Sequence, residues 1–296
     1  MASKKYLLLA ALIVFLQTSG IAQSNWGWDW KDSSKVPTKS LPQYNEFLNN
    51  QFPYPPKPRS QWEIGVNGGY AFLMNTAVRQ RGGYSAGITF RKAIDHNWSF
   101  RFGITSGVTY GQGIKAIQGP GFGYYYSYGT GVNYVPNYRA SIGTASFDFI
   151  YSINPQSYYR GNPKWNLYVL AGYSMVGSET QMDSRNATGG LYNYASVNFN
   201  APTKDIVSAV QALRDGKYDS PGYNPDGKRG SLFTAGSRIV RHGLDFGGGF
   251  SYKINSKYNV GIEQKFTTLD KYVDGSGLTT QRGILSYLNA HININL

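Results

Sequence analysis

The sequence contains no cysteine, which excludes a disulfide framework and thiolate metal sites. Its three histidines, His96, His242 and His291, show no His-x-x-x-His spacing of the kind zinc chemistry often uses. Beyond the N-terminus no run approaches the ~18 consecutive apolar residues of a membrane helix. Charged residues make up only 15% of the chain, against about 25% in soluble domains, so much of the surface is expected not to face water. The single Gly-x-Ser-x-Gly string, Gly83 to Gly87, falls inside an alternating segment and lacks the strand-to-helix turn of a nucleophile elbow. The glycine-rich stretch Gly119 to Gly123 lacks the lysine of a phosphate loop, and Asp245-Phe246-Gly247 copies a kinase tripeptide without its companion loops. The one acid–imidazole pair near a strand end, His242 with Asp245, has no nucleophile apparent beside it. The reading is therefore non-enzymatic, with no cofactor and no metal.

What the chain has in quantity is glycine and aromatic residues: 36 Gly, 25 Tyr, 15 Phe and 6 Trp. That mixture suits strands and turns and suits helices poorly. The N-terminus reads as an export signal. Lys4 and Lys5 precede the apolar run Tyr6 to Leu16, too short to span a bilayer, and Gly20-Ile21-Ala22 supplies small residues for cleavage after Ala22. The formal charge is +13, yet no basic cluster or nucleic-acid motif accompanies it. Anionic lipid head groups and lipopolysaccharide are the expected counter-charges, and nucleic acid is not. Three regions follow: a signal peptide over 1–22, a Trp/Pro-rich segment over 23–61, and a β domain over 62–296.

The β domain is read from period-2 alternation, which puts apolar residues on one face and small or polar residues on the other. Trp62, Ile64, Val66, Tyr70 and Phe72 oppose Glu63, Asn67 and Ala71. Tyr84, Ile88, Phe90 and Ile94 oppose Ser85, Thr89 and Arg91, and Trp98, Phe100, Phe102, Ile104 and Val108 oppose Ser99, Arg101 and Thr105. The fourth segment, Arg139 to Ile153, sets Phe147, Phe149 and Tyr151 against Ser146, Asp148 and Ser152, but its first half drifts in phase, which a bulge would explain. Trp165 to Met175, Leu244 to Ile254, Tyr258 to Thr267 and Ile284 to Leu296 complete the set. Runs this long exceed the ~5–6 residues usual in soluble strands and match the roughly 9–11 residues of a tilted transmembrane strand. The predicted fold is all-β: an eight-stranded antiparallel transmembrane barrel in the outer membrane of a Gram-negative bacterium.

The connections agree. Asp95-His96-Asn97 and Asn255-Ser256-Lys257 are tight, and 154–164 is somewhat longer. Leu73 to Gly82, Gly111 to Tyr138, Val176 to Arg241 and Asp270 to Arg282 are longer than the two tight turns. Outer-membrane barrels pair short periplasmic turns with long external loops, so both termini are expected in the periplasm. Trp62, Trp98, Trp165 and Tyr258 then open the four strands that enter from that side and form a periplasmic aromatic girdle. The opposite faces fill the lumen with Glu63, Asp148, Asp245 and Glu263 against Arg91, Arg101, Lys253 and Lys265. Mutual pairing is the physical expectation for charges so confined. Eight strands make an interior just wide enough for side chains to fill, so the barrel is expected to be plugged.

Outside the barrel, Pro37, Pro42, Pro53, Pro55, Pro56 and Pro58 argue against regular helix before the first strand. The tyrosines 124–126, 128 and 134 are expected to pack among the outer loops. Thr203 to Gly216 is a helix candidate, capped by Thr203 and ended by Gly216, with Ile206, Val207, Val210 and Leu213 on one face. It reads as packing over the barrel mouth.

The signal peptide, eight amphipathic segments and long odd-numbered connections resemble the OmpA-type small outer-membrane barrels. The aromatic, glycine-rich texture and the Ala22-Gln23 junction resemble outer-membrane barrel proteins of the Bacteroidota. The resemblance rests on pattern across Trp62 to Leu296. It implies a structural or interaction role in the cell envelope, with partners in the outer membrane or periplasm. External-loop binding and a narrow channel are the alternatives. Members of that family often carry a periplasmic peptidoglycan-binding domain after the barrel and end on an aromatic residue. This sequence stops at the eighth segment, on Leu296, and leaves anchoring to the cell wall open.

Overall fold

A computed structural model describes residues 33–57, 62–74, 76, 78–118, 133–153, 164–221, 239–269, 273 and 282–296. The region read as a signal peptide and tyrosines 124–126 and 128 lie outside these residues. Eight long strands form the body: β1 (Trp62–Met74), β2 (Arg79–Ala93), β3 (Trp98–Gln112), β4 (Asn137–Ser152), β5 (Trp165–Met182), β6 (Ile239–Lys253), β7 (Tyr258–Thr268) and β8 (Ile284–Asn295). All pair antiparallel, each with its sequence neighbour, and β1 pairs with β8 to close the sheet into a barrel.

The register fixes the geometry. Starting at Glu63, paired positions run Arg91, Arg101, Asp148, Gly172, Asp245, Thr267 and Leu285 and return to β1 at Leu73, ten residues up the strand. With about 3.3 Å per residue and about 4.7 Å between strands, that stagger tilts the strands by roughly 40° to the barrel axis. Each residue along a strand then rises about 2.5 Å along the axis.

The two faces differ as the alternation requires. Val66 (55% exposed) and Ile262 (58%) stand on the outside, while Asp148, Ser174 and Lys253 are fully buried within. Apolar side chains outside and polar ones inside invert the soluble pattern.

Three expectations change. The phase drift in the fourth segment is not a bulge, because β4 pairs with β3 and β5 without a break and inward and outward residues alternate along it. What changes is chemistry: the inward Tyr138, Ala140 and Ile142 are apolar because they join a second, oily layer inside the barrel. The one register shift in the barrel ladders lies in β2, between Gln80 and Gly82, where Gly82 takes φ +76°, a conformation that favours glycine. The first connection is also shorter than expected. It spans only 75–78, because β1 and β2 extend upward and the Gln80 side chain accepts the Leu73 N–H at 3.1 Å.

The third change concerns the proline-rich segment, which contains a helix, α1 (Leu41–Leu48). Pro42 lies in the first turn, where a missing N–H costs nothing, and the next proline is Pro53. The helix closes at Asn50, whose positive φ of 63° lets its N–H and that of Gln51 bond back to Phe47 and Glu46. Val36, Tyr44 and Phe47 are buried in this segment.

Candidate functional site: the barrel interior and its cap

The interior is built in two layers. The first is ionic. Arg101 donates to Glu263 at 2.6 and 2.9 Å and to Asp148 at 2.9 and 3.3 Å. Lys265 bridges Asp148 at 3.1 Å and Asp245 at 2.8 Å. Ser174 and Thr267 donate to Asp245 at 2.5 and 2.6 Å, and Tyr168 donates to Glu263 at 2.7 Å. Nearer the tight-turn end, Arg91 lies 3.8 Å from Glu63, to which Asn259 also donates at 3.1 Å. Four acids and three bases of the expected lumen set thus lie in ion pairs, and the fourth base, Lys253, is fully buried at the same end.

The register explains how residues so distant in sequence meet. Glu63, Arg91, Arg101, Asp148 and Asp245 share a single row of paired positions. Glycines make the room: a Cβ at Gly249 would overlap the Tyr168 phenol. A polar cavity of about 20 Å³ remains among Glu63, Arg91, Arg101, Tyr168, Glu263 and His291, space for a water and not for an organic ligand. His291 faces it and contacts Ser251 Oγ at 3.0 Å.

The second layer is apolar. Ala71, Leu73, Val78, Tyr138, Ala140, Ile142, Val176, Leu269, Val273, Leu285 and Tyr287 form one buried cluster at the strand ends away from the tight turns. Its signal was present in sequence as apolar residues on the inward phase at the tops of β1, β4, β5, β7 and β8. Above it the third and fifth connections fold together. Tyr134, Val135, Tyr192, Tyr194 and Val197 pack on Ile206 and Val210 of α2 (Thr203–Leu213).

That helix differs in detail from expectation. Pro202 occupies the N-cap, so Thr203 caps nothing, and Leu213 is exposed. The helix stops at Arg214, which turns extended while its guanidinium donates to Tyr194 Oη at 3.0 Å and to the Val135 carbonyl. Gln112 Nε2 donates to the Val207 carbonyl at 3.3 Å and ties the helix to the barrel rim. Beside it Asp183 accepts from Tyr192 Oη at 2.8 Å and the Gly216 N–H at 3.1 Å. Burial, reinforced by the Asp215 charge, pushes its carboxyl above the ordinary value.

The four girdle residues, all half-exposed on the outer face, come within about 4 Å of one level once tilt and stagger are applied. Tyr70 and Tyr173 stand eight residues above Trp62 and Trp165 on the same strands, about 20 Å higher along the axis, and mark an upper aromatic level that sequence reasoning missed. His242 and Asp245 do not meet: His242 is outside, against the Tyr173 ring, and Asp245 is inside. His96 contacts Asp95 Oδ1 at 2.9 Å and the Pro55 carbonyl, while Lys57 donates to the Ile94 carbonyl at 2.6 Å. The segment before β1 is thereby docked on the tight turn between β2 and β3, which no sequence signal announced. Burial works against the Asp95 charge, but hydrogen bonds from His96 hold its carboxyl below the ordinary value.

These features define a closed eight-stranded barrel with a filled interior and a structured cap. The chain matches no protein-family model and no curated sequence. Several solved structures are similar to it. Neisserial surface protein A matches with a TM-score of 0.41 and 10% identity, over 79% of this chain and 97% of that one. Ail of Yersinia pestis, in complex with the heparin analogue sucrose octasulfate, matches at 0.35 and 9%, over 79% and 98%. The outer membrane protein OprG of Pseudomonas aeruginosa matches at 0.35 and 11%, over 79% and 96%.

Proposed function

We propose that this chain is an integral outer-membrane protein with a plugged interior, working as a structural or interaction element of the cell envelope together with partner proteins. What supports the reading is the interior. An ion-paired layer and an oily layer lie in series along the axis, and the cap sits above them, so the barrel's working surfaces are its outside, its cap and its docked N-terminal segment. The outer face supplies an apolar band bounded by aromatic levels, the pattern of a membrane barrel. Lys92 lies 4.7 Å from the Trp62 ring centre and Lys257 5.9 Å from that of Tyr258. Cations at that level suit phosphate head groups. In this reading the tight turns and α1 are periplasmic and the cap is external. The role is non-enzymatic.

Planar-bilayer recording tests the plug: the intact protein is expected to give no large stable openings, and a steady open conductance refutes it. Gentle solubilisation and pull-down tests the partners, and recovery of a lone barrel counts against that half of the reading. A second reading, ligand binding by the cap, is favoured by one observation: the cap has its own core and so presents a preformed surface. Deleting Gly111 to Tyr138, which takes Tyr134 and Val135 out of the cap core, is expected to abolish binding under this reading alone.

A further inference from the structure

Between the aromatic levels, the outward side chains of β7 are Tyr258, Val260, Ile262 and Phe266, interrupted once by Gln264. Gln264 stands six residues above Tyr258, about 15 Å up an apolar band about 25 Å tall. Its Nε2 donates to Ser286 Oγ at 2.6 Å on β8. Its Oε1 has no hydrogen-bond partner among the described residues, and hydrocarbon offers no donor. The paired position on β6 is Gly248, so the surface beside the amide is indented. Phe250, Leu288 and Val169 stand around it, exposed on the same face.

Only protein supplies a donor at that depth. Two copies inserted in the same direction and related by a twofold axis along the membrane normal place the same residue at the same depth. A glutamine amide is self-complementary: one N–H goes to Ser286, leaving one N–H and the carbonyl to pair with their own counterparts. We propose that the β6–β7–β8 face is the interface between two copies of this chain, joined by a reciprocal Gln264 pair seated at Gly248. This rests on the membrane reading above and names one partner for it.

The chain's lack of cysteine makes the test clean. Ile262→Cys, next to Gln264 on the same face, and Ile104→Cys, outward on β3, are refolded into phosphatidylcholine vesicles. Insertion is checked by heat-modifiable migration, and a short thiol cross-linker is added. Ile262→Cys is expected to give a dimer band and Ile104→Cys none. Gln264→Leu, followed by energy transfer between labelled copies, is expected to weaken association about tenfold while insertion is unchanged. Inserted barrels that do not cross-link through Ile262→Cys, cross-link equally through Ile104→Cys, or associate normally as Gln264→Leu overturn the dimer and leave the membrane reading standing. A chain that stays out of the vesicles overturns both.

Discussion

Replacing Arg101 by methionine is the sharpest probe of the ionic layer. The guanidinium makes four bonds to two carboxylates, and its side chain is 11% exposed. The variant leaves Asp148 with Lys265 alone and Glu263 with the Tyr168 hydroxyl alone. Breaking a buried ion pair from one side costs about 3–5 kcal/mol. For a urea dependence of about 2 kcal/mol per molar, the unfolding midpoint falls by roughly 1.5–2.5 M. The assay is urea unfolding from vesicles, followed by tryptophan fluorescence and electrophoretic mobility. Adding Glu263→Gln to Arg101→Met removes one orphaned charge and is expected to recover part of the loss, which a double-mutant cycle measures. A midpoint within error of the parent protein means that water, not Arg101, solvates these carboxylates, and the plug argument fails with it.

Leu285→Ala opens a cavity in the apolar layer and is expected to cost about 2–5 kcal/mol in the same assay. Gly249→Ala is expected to displace Tyr168 from Glu263 and cost about 1–3 kcal/mol by overpacking, read as a lower midpoint and a changed tyrosine environment. The cap is expected to loosen as pH rises. Asp183, raised by burial, binds its proton more tightly folded than unfolded. Its stabilisation is fully present below the ordinary carboxylate range and is lost as pH climbs through the raised value. Limited proteolysis of 183–221 across mildly acidic pH checks this, and Asp183→Asn is expected to flatten the profile.

Strand number, order and facing were legible because a period of two needs only a string of side-chain types. The ion-pair residues could be collected from the inward phase, but not their pairing. That Arg101 meets Glu263, 162 positions away, follows from a ten-residue stagger that the alternation does not encode. The drift at Tyr138 to Ile142 is visible in the sequence but ambiguous there, since an oily inner layer and a bulge leave the same trace in the pattern. Helix α1 was hidden because six prolines across the segment outweighed the proline-free stretch 43–48. The docking of Lys57 and Pro55 on the 94–97 turn is a long-range polar contact without periodicity, and nothing local announces it.

The lid has a consequence for biogenesis. Its core takes Tyr134 and Val135 from one hairpin connection and Ile206 and Val210 from another, so no single hairpin carries enough to assemble it. If both connections traverse the bilayer, neither can do so already packed against the other. Closure of the lid then follows the passage of both connections, and protease resistance across 183–221 becomes a timer for the arrival of the second of them.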